Sequence, residues 1–128
     1  GAERAITAML DLAVPNVNAR KRIPMRAIRA VAQRIARQFD PDKIILFGSY
    51  ASGQPRPESD VDLLVILQSD LRRDKRQEAI SMALRPRYFP MDILAYTPAE
   101  ARACAADPDS FLRHILETGR VLYARQSN

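Results

Sequence analysis

The sequence predicts an alternating α/β domain, and three observations carry that reading. Short apolar runs of strand length recur at residues 43–47, 60–67 and 89–97. Segments whose apolar residues repeat at helical spacing stand before, between and after them. The length, 128 residues, suits one compact domain that buries roughly two thirds of the surface its unfolded chain exposes.

In residues 1–23, Ile6, Met9, Leu10 and Ala13 could form an amphipathic helix ending near Pro15, either packed on the core or offered to a partner. This segment is expected to be an extension preceding the main domain, residues 24–128. Pro24 suits a first helical position, and Ile28, Val31, Ile35 and Phe39 then form an apolar stripe to lie on a sheet. Lys43-Ile-Ile-Leu-Phe47 reads as a buried strand, ended by Gly48-Ser49 and a helical turn over residues 50–52. After a Pro-rich loop, residues 60–67 form a second strand, apolar from Leu63 onward and so buried on both faces. A helix over residues 71–85, stopped by Pro86, leads to a third strand at 89–97. Thr97-Pro98-Ala99-Glu100 is a capping box with proline at the first helical position, opening a short Ala-rich helix. Asp107-Pro108 restarts the chain into a helix carrying Phe111, Leu112, Ile115 and Leu116, with Gly119 as a left-handed terminator.

The chemistry is concentrated between Gly48 and Asp62. A turn at Gly48-Ser49 leaves backbone N–H groups unpaired, and with the Ser49 hydroxyl they favour an anionic group such as a phosphate. Positions i and i+2 share a strand face, so Asp60 and Asp62 project side by side. Two such carboxylates repel by about 4 kcal/mol at roughly 4 Å with an effective dielectric near 20. A divalent cation removes that penalty, and magnesium, with its preference for a few carboxylates plus substrate phosphates, is the natural choice. Asp92, an acid inside the apolar run of the third strand, is costly to bury unless paired or bound to metal. If its strand lies beside residues 60–67, it can complete a three-carboxylate site for two ions.

Gly48-Ser49, ten intervening residues, then Asp60-Val61-Asp62 resembles the signature of the DNA polymerase β-like nucleotidyltransferase superfamily, and specifically its minimal, MNT-type members, over about residues 24–123. The resemblance implies the nucleotidyltransferase fold, a small mixed β-sheet flanked by helices, and transfer of a nucleoside monophosphate from an NTP, with release of pyrophosphate. It further implies that Gly48 and Ser49 hold the triphosphate, that Asp60 and Asp62 ligate both magnesium ions, and that Asp92 ligates one ion and orients or deprotonates the attacking hydroxyl. Family members often carry a basic residue three positions after the motif serine, where this chain has Ser52; Arg56 in the connecting loop is the nearest replacement, with Lys43 and Arg72, Arg73 and Lys75 behind it.

The remaining composition narrows the function classes. Arg26, Arg29 and Arg37, with Arg20, Lys21 and Arg22 before them, supply much of the net charge of +5. Few aromatics are interleaved to stack on bases, so direct nucleic-acid binding is not expected. The single Cys104 permits no intrachain disulfide, and the single His114, beside Phe111 and Ile115 on a helix, reads as a structural or surface residue, which disfavours zinc and Ser/His or Cys/His nucleophilic catalysis. No apolar run spans a bilayer and no secretory h-region is evident, so a cytoplasmic location is expected.

The chain has little room beyond a catalytic core, so its acceptor is expected to be presented by something else. For MNT-type proteins the resemblance implies a HEPN-like partner protein in a toxin–antitoxin pair, modified by AMP from ATP, in a hetero-oligomer. The basic face around Arg26 and Arg29, or the N-terminal segment, is the expected docking surface. A small-molecule, aminoglycoside-like nucleotidyltransferase and a non-catalytic partner-binding protein are the alternatives.

Overall fold

Residues 22–126 are described by a computed structural model; the expected helix around Ile6 to Ala13, and Arg20 and Lys21, lie outside these residues. Helix α1 spans Met25–Phe39, with Pro24 serving as its N-cap rather than its first helical residue. It buries Ala27, Ile28, Val31 and Ile35 along one stripe. The helix ends at Asp40, which adopts left-handed backbone (φ 46°) and donates its N–H to the Ala36 carbonyl at 3.1 Å.

Strand β1 (Lys43–Phe47) is central: it pairs antiparallel with β2 (Val61–Ile66) on one side and with β4 (Arg120–Ala124) on the other. Strand β3 (Met91–Tyr96) pairs parallel with β2, giving a mixed four-stranded sheet of order β3-β2-β1-β4. The one-turn helix α2 (Ser49–Ser52) lies between β1 and β2. A parallel pair needs a crossover, supplied by α3 (Arg73–Ala83). Helices α4 (Pro98–Ala105) and α5 (Phe111–Thr118) connect β3 to β4.

Strand alternation divides the core into two layers. Ile44, Leu46, Val61, Leu63, Val65, Ile93 and Ala95 pack with α1 and with Ile80 and Leu84 of the α3 region. On the reverse of the sheet, Ile45, Phe47, Leu64 and Ile66 pack with Ala101 of α4 and with Leu112 and Ile115 of α5. Alternation therefore puts Asp62 and Asp92 on the second face, in line with Leu64 and Leu94.

Three further sequence expectations are corrected. Helix α3 is shorter than residues 71–85, because the Leu71 carbonyl accepts from the Arg76 guanidinium at 2.7 Å and Arg72 becomes the N-cap. The restart at Asp107-Pro108 is a turn, with the Asp107 carboxylate accepting from the Asp109 N–H; α5 begins after Ser110, whose hydroxyl accepts from the Arg113 N–H. Gly119 is extended (φ −72°), not left-handed. It is glycine for clearance, since a Cβ there would sit 2.5 Å from the Ile45 side chain and 2.7 Å from the Ile115 carbonyl oxygen. Strand β4 goes beyond the sequence reading, and among the described residues no helix is long and apolar enough to cross a membrane.

Candidate functional site

The site is built on the turn that ends β1. Gly48 takes φ 76° and ψ −155°, a region essentially reserved for glycine. Its carbonyl accepts from the N–H groups of Ala51 and Ser52, both at 3.1 Å, closing α2. The N–H groups of Ser49 and Tyr50, at the start of that turn, have no carbonyl within it to bond. Tyr50 is buried, and its hydroxyl accepts from the Ile23 N–H at 3.1 Å, anchoring the turn to the start of α1.

Gly48 is packed directly against Asp62. A Cβ at position 48 would collide with the Asp62 carboxylate, so the absent side chain is what lets the acid lie on the turn. The parallel register places Asp62 opposite Asp92 on neighbouring strands of the same face. Asp60 immediately precedes β2 rather than lying in it. Burial, then the charges of Asp92 and Asp60, push the Asp62 carboxyl up to about 6. The three acids thus share one electrostatic neighbourhood. Among the described residues no group of three acidic, His or Cys side chains stands close enough together to hold a metal ion. Mutual repulsion of three anions opposes a tighter gathering.

In front of Asp62 lies a cavity of about 450 Å³. Phe47, Gly48, Ala51 and Ser52 form its wall on the turn side. The rest of the lining comes from α5, through Phe111, His114, Ile115 and Thr118. Ser52, the departure from the family pattern, lines the cavity and spends its hydroxyl on the Ser49 carbonyl at 2.9 Å. Arg56 sits on the exposed loop, its N–H donating to Ser59, and is not among the lining residues. His114, read from sequence as structural or surface, is a lining residue, and so are Phe111 and Thr118. The signal that could have found them is their spacing of three and four on one helical face, combined with a pairing of α5 to the Asp62 face that sequence does not supply.

Comparison with known proteins bears on the family and the fold. A Methanocaldococcus jannaschii protein named "Putative protein adenylyltransferase" is 38% identical over 81 residues, 63% of this chain and 77% of the relative. A second protein of the same name and organism is 43% identical over 44 residues, 34% of this chain and 44% of its own length. The crystal structure of "a putative nucleotidyltransferase from Sulfolobus solfataricus" superposes with a TM-score of 0.54 at 17% identity, covering 77% of this chain and 78% of that one, a likeness of fold. The polymerase beta nucleotidyltransferase domain matches residues 30–128, everything from the middle of α1 onward, and the chain therefore belongs to the polymerase beta nucleotidyltransferase family of enzymes.

Proposed function

We propose that this enzyme transfers AMP from ATP to a hydroxyl of a partner protein, a HEPN-like toxin for which it is the antitoxin. The observation that carries the reading is the contact of the Gly48 turn with Asp62, opposite Asp92, at the wall of one cavity. It is supported by the relatives named for protein adenylyltransferase activity.

The donor set suits magnesium: hard carboxylate oxygens, one of them held at about 6 by burial and by its acidic neighbours. Asp60, Asp62 and Asp92 would hold two ions, which when bound neutralise charge on the triphosphate and on the acids themselves. The Ser49 and Tyr50 N–H groups and the Ser49 hydroxyl bind phosphate oxygens, and Gly48 allows that approach. Arg56, on its loop, meets the outer phosphates. Asp92 orients the acceptor hydroxyl and takes its proton as the oxygen bonds to the α-phosphorus. The bond from that phosphorus to the α,β-bridging oxygen breaks in line, pyrophosphate leaves, and AMP remains as a phosphodiester on the acceptor.

Intact mass spectrometry tests this. Protein, magnesium and ATP alone should give little product, because a free alcohol forfeits effective molarities on the order of 10⁵ M or more. Addition of the cognate HEPN-like partner should give a discrete AMP mass increase on that partner, absent with Asp62→Asn. Tight complex formation without an adduct would favour the non-catalytic reading, and efficient modification of a small alcohol without a protein would favour the small-molecule reading.

A further inference from the structure

The cavity contains more than the transfer chemistry uses. Part of its lining is one face of α5, presenting Phe111, His114 and Thr118. Phe111 is 61% exposed, and it alone among the large exposed apolar side chains of the described residues lines the cavity; Leu71, Met82 and Val121 do not. Its ring meets Phe47 at right angles, centroids 5.8 Å apart. An edge-to-face contact leaves at least one full face of Phe111 uncovered by Phe47.

We infer that this face of α5 is the base-binding wall of the donor site, with Phe111 stacking on the heterocycle and His114 and Thr118 meeting its polar edge. The inference rests on the reading of the site as an NTP site. A nucleotide is anionic at one end and a flat, apolar-faced ring at the other. The cavity offers both kinds of surface: the Gly48 turn and Asp62 in one part of its lining, and an exposed aromatic ring with two polar side chains from α5 in another. About 450 Å³ lies within the range of small-ligand sites. A base accounts for a bare phenyl face, since stacking on it is worth about 1–3 kcal/mol per base, a factor of roughly five to 150 in affinity. The competing occupant is the acceptor side chain.

Titration calorimetry with magnesium present separates the two, comparing ATP with inorganic tripolyphosphate, which has no base. Phe111→Ala should weaken ATP binding about ten-fold or more and leave tripolyphosphate binding unchanged. Phe111→Tyr should retain ATP affinity, as should Val121→Ala, an exposed apolar position away from the cavity. Unchanged ATP affinity in Phe111→Ala, with slower transfer to the partner, would assign the cavity to the acceptor and overturn the inference. Equal loss of ATP and tripolyphosphate affinity would also overturn it, placing the effect at the phosphates. If the unaltered protein bound neither ligand, the donor-site reading itself would fail.

Discussion

The tension at Asp62 is the clearest residue-level property of the molecule. Its carboxyl is held at about 6, above the ordinary 3.8, first by burial and then by Asp92 and Asp60. A raised value means the folded state binds the proton more tightly than the unfolded chain. Its contribution to stability is complete below 3.8 and is lost as pH rises through about 6. In metal-free buffer, Asp62→Asn should therefore melt at a higher temperature than the unaltered protein well above pH 6, with the advantage shrinking as pH falls through about 6 and gone below 3.8, as read by circular dichroism. The same variant should lose NTP turnover, so stability and activity part at one atom pair. Gly48 carries the complementary constraint. Gly48→Val asks a side chain to adopt the glycine-only region, at about 1–3 kcal/mol, and drives a Cβ into Asp62. Magnesium-dependent ATP binding should fall far below that of a variant altered on the outer face of α1; unchanged affinity would move the phosphate cradle elsewhere. The Gly-Ser turn and the acids are legible in sequence because spacing alone announces them. That Gly48 and Asp62 touch is not, because antiparallel pairing of β1 with β2 brings them together across a loop.

At the scale of elements, local signals read well and long-range ones do not. The capping box of α4 is present as its sequence indicates: the Glu100 N–H donates to the Thr97 hydroxyl at 3.1 Å and the Thr97 N–H to the Glu100 carboxylate at 2.9 Å. Nothing local announces that Glu100 also receives the buried Arg76 guanidinium at 2.7 Å, or that Arg76 donates to the Ala95 carbonyl at 2.9 Å. These bonds fasten the start of α3, the end of β3 and α4 to one another. The Arg76 hydrogen bond first, then the Thr97 backbone, hold the Glu100 carboxyl down at about 2. The stabilisation is present above 4.5 and is lost as pH falls through about 2. Glu100→Ala leaves a buried cation without its partner and should cost about 3 kcal/mol or more. Arg76→Met leaves the Ala95 and Leu71 carbonyls as well as the Glu100 carboxylate without that donor, and should likewise cost about 3 kcal/mol or more. Urea denaturation gives both, and a cost below about 1 kcal/mol for either would show that water replaces the lost partner. Helix boundaries depend on such contacts too: the sequence spacing does not show that Arg76 occupies the Leu71 carbonyl, or that Ser110 rather than Asp107 caps α5.

The whole molecule is two-sided. Alternation along β2 sends Val61, Leu63 and Val65 toward α1 and Asp62 toward α5, so the exposed arginines of α1 and the carboxylates lie across the sheet from each other. A partner docked on Arg26 and Arg29 would have to bring its hydroxyl around the sheet edge to reach Asp62. Arg26→Glu with Arg29→Glu should therefore leave the rate of AMP transfer to the partner essentially unchanged in a mass-spectrometric time course, and a large loss would mean that the partner reaches around the sheet edge. The α/β class is legible because strand and helix periods differ, whereas the mixed sheet is what the family resemblance implies. Which face receives the acids and which receives the arginines depends on strand order, and period alone does not encode that.

Gly119 ties these scales together. The side chain it lacks lets the end of α5 ride close on β1, and the preceding residues Ile115 and Thr118 line the cavity. The gauge of the cavity is thus set from behind, by an atom that is missing. Even a methyl group at 119 would act as a shim under α5, changing what fits at the front without touching it. Selectivity in this scaffold can drift through a position that no ligand ever meets.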